Sequence, residues 1–224
     1  MGGEDMMWGY ASQTSTRRNL YALCTNGWRL LVTPDTRVRN GMPTWHDGTA
    51  APYAIDNGAW GAYASNREWD AGAFLDLAAE LGEGADWVAI PDIVAGGLES
   101  LRRSEEWKNH LRYLLPETRL LLPVQDGMTP LDVASLIDEN TGIFLGGSTE
   151  WKLDTLPSWG EWCEERDVYF HVARVNTVNR IEKCANAKAQ SFDGTNLSKY
   201  ASNSERLQWA RYCNPSRRHP WQKS

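Results

Sequence analysis

Polar groups that could carry chemistry follow six short apolar runs in this sequence, each directly after its run ends. They comprise carboxylates, amides, a glycine pair and an arginine, in the segments Asp56-Asn57-Gly58, Pro91-Asp92, Gln125-Asp126-Gly127, Gly146-Gly147-Ser148, Arg174-Val175-Asn176 and Asp193-Gly194-Thr195. Each residue alone is an ordinary turn or helix N-cap residue. Carboxylates gathered at one edge, however, raise one another's pKa, which favours proton transfer. The set therefore predicts an acid–base site.

The runs that precede these groups, and one earlier run, have the character of buried strands. They are short, apolar and bounded by Gly, Pro or Asp: Arg29–Thr33, Tyr53–Ile55, Trp87–Ile90, Arg119–Val124, Gly142–Leu145, Val168–Val172 and Ala189–Phe192. Helical spacing occurs between several of them: Trp69–Leu81, Leu98–Leu115, Pro130–Ile137, Trp159–Glu165 and Val178–Ala187. A further, first strand is expected near Leu20–Leu23.

Strands that alternate with helices and are continuously apolar predict parallel pairing with both sheet faces covered. Eight strands favour a closed (β/α)8 TIM barrel over an open doubly wound sheet, and no GxGxxG follows the first strand, which disfavours dinucleotide binding. In such a barrel the loops after the strands form one catalytic face. No linker or repeat divides the sequence, so we expect residues 1–224 to form a single α/β domain.

Composition limits the classes of function. The 224 residues carry a formal net charge of −6, unlike a typical basic nucleic-acid binder. A short basic tail, about 206–224, contrasts with the acidic body through Arg206, Arg211, Arg217, Arg218 and Lys223. Four scattered cysteines without a CxxC pair indicate reduced thiols. Without a signal peptide or a long apolar run, we expect a cytoplasmic protein with no membrane partner.

The ordered motifs DNGAW, PDIVAGG, PVQDGM, GIFLGGSTEWK, HVARVNTVNRI and SFDGT resemble the tRNA-guanine transglycosylase superfamily. The sequence is most similar to its reduced phage and bacterial branch, which is implicated in placing 7-deazaguanines into DNA. The match spans about Tyr53 to Ser198 and preserves the motif order. The resemblance implies a barrel enzyme that exchanges a purine base on a nucleic acid through an aspartate nucleophile.

The resemblance assigns the two catalytic residues. Asp193 matches the nucleophile, and Asp56 matches the general acid/base in the family's Asp-Ser-Gly-Gly segment. Asn57 stands at the serine of that segment and Ala59 at its second glycine. An aspartate can trap the oxocarbenium-like state formed at C1′, as in retaining glycosidases. The second carboxyl group then handles the protons of the departing and incoming bases.

The resemblance also implies a base-binding set, in which Asn57 takes part. Asp92 matches the aspartate that reads the purine edge, and a carboxylate can accept both the N1–H and the exocyclic amine of guanine. Gln125 matches the base-contacting glutamine, whose amide can donate to O6 and accept elsewhere. Gly146 and Gly147 match the glycine pair whose backbone approaches the flat ring.

Four further positions are less specific. Arg174 and Asn176 lie where the family has a loop near the base and the nucleophile, and we include both in the substrate-binding set. Arg174 could contact a phosphate or ribose, or form a salt bridge within the barrel. Lys152 could contact a phosphate or be exposed. His171 lies inside an apolar strand and is expected to be a satisfied core histidine.

The family's zinc-binding segment is not matched. After Asp193 only Cys213 and His219 remain as candidate ligands, so no metal and no cofactor is expected. This difference favours DNA over tRNA as the polymer, with a free 7-deazaguanine such as 7-cyano-7-deazaguanine as the second substrate. A target base in a duplex must be flipped out or presented single-stranded. A helper ATPase or helicase, and a homodimer, remain open.

Three other functions stay open at this stage. The first keeps the chemistry and acts on tRNA instead of DNA. The second is a nucleoside N-glycosidase that uses Asp56 and Asp193 on a small substrate. The third is a non-catalytic barrel that binds DNA or a partner protein.

Overall fold

Short parallel strands follow one another in chain order and close into a barrel, in which β8 pairs with β1. The computed structural model describes residues 7–36, 42–203, 205, 207 and 208. Within these residues the strands are β1 Trp8–Ser12, β2 Arg29–Val32, β3 Tyr53–Ile55, β4 Val88–Ala89, β5 Leu120–Val124, β6 Thr141–Leu145, β7 Phe170–Val172 and β8 Ser191–Gly194. This confirms the predicted (β/α)8 barrel.

Helices on the outside of the barrel follow every strand except β2, since the described residues between β2 and β3 form no helix. They are α1 Arg17–Thr25, α2 Ala59–Ala64, α3 Ala71–Leu81, α4 Glu99–Leu114, α5 Pro130–Val133, α6 Thr149–Glu165, α7 Val178–Asn186 and α8 Asn196–Lys199. Side chains cap several of their first turns. Asp70 accepts from the Ala73 N–H at 2.9 Å at the start of α3, and Ser148 accepts from Trp151 at 3.3 Å at the start of α6. These caps satisfy N–H groups that have no partner within the helix.

The structure differs most from the sequence-based boundaries at the first strand and at α6. Leu20–Leu23 belongs to α1, and the first strand is instead Trp8–Ser12, whose residues WGYAS lack the aliphatic run that marks the other strands. Helix α6 begins at Thr149 instead of Trp159 and continues through Pro157. A proline normally disfavours the helix interior, yet α6 continues past Pro157. Helix α2 had no predicted counterpart.

Side chains of the strands alternate between two apolar clusters. One cluster fills the barrel interior and contains Tyr10, Leu31, Ala54, Trp87, Ala89 and Leu121. Their sequence neighbours face outward and join the larger core beneath the helices, as Leu30 and Val32 do beside Leu31. Packed layers of side chains inside a barrel make it a solid core that fixes the strand ends. The loops that follow the strands therefore rest on a rigid base.

The cysteines, the basic tail, membrane-spanning helices and the domain boundary were also predicted from the sequence. The described cysteines, Cys24, Cys163 and Cys184, are free thiols, whereas Cys213 lies outside the described residues. The predicted basic tail also lies outside them, apart from Leu207 and Gln208. In the part of the chain that the structure describes, no helix has the length and apolarity needed to cross a membrane. The domain boundary at 1–224 stays a prediction.

Candidate functional site

A cavity of about 680 Å³, here named the mouth cavity, opens at the carboxyl ends of the strands. Residues at or after the end of every strand contribute to it, from Ser12 at the end of β1 to Thr195 after β8. The predicted site residues that line it are Asp56, Asn57, Asp92, Gln125, Gly146, Gly147, Arg174 and Asp193. Its volume lies within the range of small-molecule sites. These residues are up to 137 positions apart in the sequence. They line one cavity because their strands are parallel and end at the same edge of the barrel, as predicted from the sequence.

Asn176 is the predicted site residue that lies outside the described lining of this cavity. Its side-chain oxygen accepts a hydrogen bond from the Asn196 N–H at 3.0 Å, and its carbonyl accepts one from Asn196 Nδ2 at 3.1 Å. These bonds fasten the loop after β7 to the start of α8. Asn176 therefore supports the loop that carries Arg174 and does not face the cavity.

Asp193, at the end of β8, is buried, with 6% of its surface exposed. Its Oδ1 accepts a hydrogen bond from the Arg174 N–H at 3.0 Å, and its Oδ2 lies 3.0 Å from His171 Nε2. Arg174 has a φ of 56°, in the left-handed region that non-glycine residues rarely adopt. Such strain concentrates at functional sites. Here it turns a backbone N–H toward the carboxylate.

Asp56, directly after β3, lines the same cavity. Burial and the charges of Asp193 and Asp92 raise the pKa of Asp56 to about 7, although the Gly58 N–H, which donates to Oδ1 at 2.7 Å, lowers it. A carboxyl group with this pKa is about half protonated at neutral pH, which suits a group that both donates and accepts a proton. Among the described residues, no three histidine, cysteine or acidic side chains are grouped closely enough to hold a metal ion.

Asp92 is held between two amides. Asn57 Nδ2 donates to its Oδ1 at 3.1 Å, and Gln125 Nε2 donates to its Oδ2 at 3.3 Å. Asn57 is itself fixed by the Ile90 carbonyl and the Ala59 N–H. Burial raises the pKa of Asp92 to about 6, although the bond from Asn57 lowers it. Each carboxylate oxygen keeps a second lone pair, so the group can still accept two hydrogen bonds from a ligand.

Gln125 is oriented differently from the expectation that its amide donates to a base oxygen. Its Nε2 donates to Asp92 and, at 2.9 Å, to the Ile93 carbonyl. Because both neighbours are acceptors, the NH₂ end must face them and both of its hydrogens are used. Gln125 therefore presents its carbonyl oxygen, an acceptor, to any ligand.

Gly147, the second glycine of the pair after β6, stands where a side chain would clash. Gly147 has a φ of 71°, and a Cβ there would lie 2.6 Å from Asp126 Oδ2 and 2.7 Å from the Trp151 ring. Asp126 in turn accepts from both the N–H and the hydroxyl of Ser148, each at 2.6 Å. This pair of bonds ties the loop after β5 to the start of α6. Glycine at 147 lets the backbone pass between these groups along the cavity wall.

Aromatic side chains of α2 form part of the rim, a feature that the sequence did not single out. Trp60 lines the cavity with 49% of its surface exposed, and its ring centroid lies 5.9 Å from that of Tyr63. The Arg174 guanidinium stacks 4.2 Å from the Trp60 ring and donates to the Gly147 carbonyl. The sequence analysis left two roles open for Arg174, a contact with a phosphate or ribose and a salt bridge within the barrel. Among the described residues, Arg174 forms no salt bridge. The position of Trp60 directly after Asp56-Asn57-Gly58-Ala59 was the available signal.

The structure shows the contacts of Lys152 and His171, whose roles the sequence left open. Lys152 is 2% exposed, so the expectation of an exposed side chain is wrong, and its ammonium group donates to the Ala173 carbonyl. Burial, followed by the charge of Arg174, lowers the pKa of Lys152 to about 8. His171 is a fully buried histidine with both ring nitrogens hydrogen-bonded, as expected. The sequence pattern missed that one of its partners is Asp193.

A larger depression, of about 1170 Å³, lies at the opposite end of the barrel, near the strand starts. It is lined by residues such as Arg119, Tyr169 and Gln190, and it contains none of the predicted site residues. Catalytic groups of such barrels lie at the carboxyl ends of the strands. We therefore assign the functional site to the smaller mouth cavity.

Comparison with known proteins supports the fold and shows no family. No protein-family model and no curated protein matches the chain. Among solved structures, DHPS from Yersinia pestis with a pterine-sulfa conjugate aligns with a TM-score of 0.52 at 8% identity, covering 93% of this chain and 95% of its own. A putative fructose-1,6-biphosphate aldolase from Coccidioides immitis aligns with a TM-score of 0.55 at 12% identity, covering 92% and 87%. At these identities the likeness establishes the TIM-barrel fold alone.

Proposed function

We propose that this chain is a base-exchange transglycosylase that replaces guanine in DNA with a 7-deazaguanine, through a covalent bond between Asp193 and the sugar. The observation that carries the proposal is that Asp193 and Asp56 both line the mouth cavity, beside a carboxylate, Asp92, that can still accept two hydrogen bonds. The barrel fold, shared by many enzymes, supports a catalytic role. The specific reaction comes from the motif series and the chemistry of the site.

The first half-reaction removes guanine. A carboxylate oxygen of Asp193 attacks C1′ of the target nucleotide while the bond from C1′ to N9 breaks, and protonated Asp56 gives its proton to the departing base. In the second half, ionised Asp56 takes the N9 proton of the incoming 7-deazaguanine, N9 attacks C1′, and Asp193 is released. Asp56 ends protonated, as it began. A pKa near 7 suits both of its tasks.

Recognition of the base falls to Asp92 and its neighbours. Ionised Asp92 accepts the N1–H and one exocyclic N–H of a guanine-like ring, and the Gln125 carbonyl oxygen can accept from the same edge. The exposed face of Trp60 offers a surface on which a flat ring stacks. These groups suit guanine and 7-deazaguanine alike, because both rings carry the same edge.

The charge of the cavity indicates which part of the substrate enters it. Among the described residues, its wall carries one arginine, Arg174, and five carboxylates: Asp35, Asp56, Asp92, Asp126 and Asp193. Such a wall favours a neutral base and repels phosphates. The base must then enter alone, flipped out or from a single strand, while the basic tail or a partner protein holds the backbone. The protein would have to share a compartment with DNA, as expected for a cytoplasmic protein.

A second candidate, a nucleoside N-glycosidase, is favoured by this same acidic wall, since a free nucleoside carries no phosphate. The two activities are separated by one experiment. The protein is incubated with isotopically labelled 7-cyano-7-deazaguanine and either DNA, tRNA or free nucleosides, and the products are digested and identified by mass.

We expect label in DNA with the wild type and with Asp76→Asn, a control at an exposed position of α3 that does not line the cavity. Asp193→Asn should give none. Label in tRNA alone would move the proposal to that polymer, and release of base from free nucleosides would favour the glycosidase. Absence of label and of released guanine with every substrate would overturn the proposal.

A further inference from the structure

A chain of three hydrogen bonds runs through the barrel interior and ends on Asp193. The Tyr169 hydroxyl donates to Ser191 Oγ at 2.9 Å, Ser191 Oγ lies 2.8 Å from His171 Nδ1, and His171 Nε2 lies 3.0 Å from Asp193 Oδ2. Parallel pairing of β7 with β8 places His171 opposite Ser191. Tyr169, at the far end of the chain, lines the depression near the strand starts. This series of hydrogen bonds therefore runs from the depression near the strand starts to Asp193, the candidate nucleophile.

The donors in this chain point in one direction. Since Ser191 accepts from Tyr169, its own hydroxyl hydrogen is available for His171 Nδ1. A neutral histidine whose Nδ1 accepts must carry its hydrogen on Nε2, which then donates to Asp193. The Asp193 end of the chain is therefore an acceptor, as an ionised carboxylate is. Burial also raises the pKa of Tyr169, which keeps its hydroxyl a donor.

His171 cannot contact a substrate, because it is fully buried and both ring nitrogens are engaged. Its ring is stacked against Phe144 at 4.8 Å and lies 4.6 Å from Trp87, so neighbouring rings fix its orientation. Among the described groups, the charges that act on it are those of Asp193 and Lys152. Burial lowers the pKa of His171 despite the attraction of Asp193, so the ring is neutral at pH 7.

We propose that His171 is a positioning residue, locked by Ser191 and Tyr169 in the tautomer that donates from Nε2 to the Asp193 carboxylate. This inference rests on the proposed role of Asp193 as nucleophile. A neutral donor orients the carboxylate and leaves its negative charge on the oxygens, whereas an imidazolium would neutralise it. With the Arg174 N–H on the other oxygen, each oxygen has one fixed donor and retains a lone pair for the sugar.

Two substitutions at one position separate positioning from packing. His171→Gln places its amide nitrogen near the Nε2 position and keeps a donor to Asp193. His171→Asn reaches only the Nδ1 position, so it keeps the contact with Ser191 and loses the donor. We expect His171→Asn to lower kcat for base exchange by about 10- to 100-fold with little change in KM for the free base, because a hydrogen bond to a charged group is lost. His171→Gln should retain most of the activity.

The tautomer is measured independently of activity by ¹⁵N NMR of histidine-labelled protein. The signal that disappears in His171→Gln belongs to His171, and we expect the neutral form with hydrogen on Nε2 from pH 7 to 8. Hydrogen on Nδ1, an imidazolium, or equal activity of both folded variants would overturn the inference. If the wild type exchanges no base, the proposed function fails, and the tautomer alone then decides whether the hydrogen-bond chain has the inferred direction. Thermal unfolding of each variant checks that it folds.

Discussion

Replacing Asp56 with asparagine is expected to stabilise the protein at alkaline pH although it abolishes base exchange. Burial, with the charges of Asp193 and Asp92, raises the pKa of Asp56 from 3.8 to about 7. The unfolded chain releases this proton near the ordinary pKa of an aspartate, about 3.9. Between these two pH values the folded protein holds a proton that the unfolded chain has lost, so its stability falls as pH rises.

The sign and size of the effect follow from this difference in pKa. The contribution of Asp56 to stability is complete below the unfolded pKa and is lost as pH rises through about 7. The gap between the two pKa values corresponds to about 4 kcal/mol, at roughly 1.4 kcal/mol per pH unit. Since Asp56→Asn has no ionisable group at this position, its stability relative to the wild type should increase by up to about 4 kcal/mol between pH 4 and pH 8.

Urea unfolding of both proteins at pH 4, 6 and 8 measures this change. Asp35→Asn serves as the control, because Arg67 lowers the pKa of the exposed Asp35 and its removal should give no such rise. A difference in unfolding free energy between Asp56→Asn and the wild type that stays constant across this range would refute the reasoning. Asp56 would then titrate as in the unfolded chain and could not exchange protons near pH 7.

Three further substitutions test the roles of single side chains. Asp193→Asn should abolish exchange while base affinity, measured by calorimetry, changes little; loss of base binding would contradict a purely nucleophilic role. Gly147→Ala should lower the free energy of unfolding by about 1–3 kcal/mol and weaken base binding, because φ is positive and Asp126 occupies the space; an unchanged melting temperature would contradict this. Trp60→Ala should weaken base binding by about 1–3 kcal/mol with little effect on stability, since the ring is half exposed; unaltered affinity would remove Trp60 from the site.

Most strand ends were predictable because seven strands of this barrel lie in short apolar runs that stop at a polar group. Asp56, Asp92 and Asp193 therefore reach the same cavity as predicted, from three different strands. The strand that escaped prediction, Trp8–Ser12, contains glycine, alanine and serine, so its apolar pattern is weak. Its position is instead fixed by pairing with β2 and β8.

Side-chain directions were not predictable, because they depend on contacts between strands and helices. The bond from His171 to Asp193 follows from the register of β7 against β8, which sequence spacing does not reveal. Lys152 lies on α6, and only the packing of that helix buries its ammonium group. The orientation of Gln125 is set by two acceptors, Asp92 and the Ile93 carbonyl, that belong to the preceding strand and its loop.

The central claim, a covalent bond from Asp193 to C1′, is tested most directly by intact mass spectrometry. Wild-type protein is mixed with a single-stranded oligonucleotide, denatured before an incoming base is added, and digested to locate any adduct. We predict an increase equal to the oligonucleotide less one guanine, carried by the peptide that contains Asp193, and its absence in Asp193→Asn. Guanine release without an adduct, or an adduct on another residue, would contradict the account.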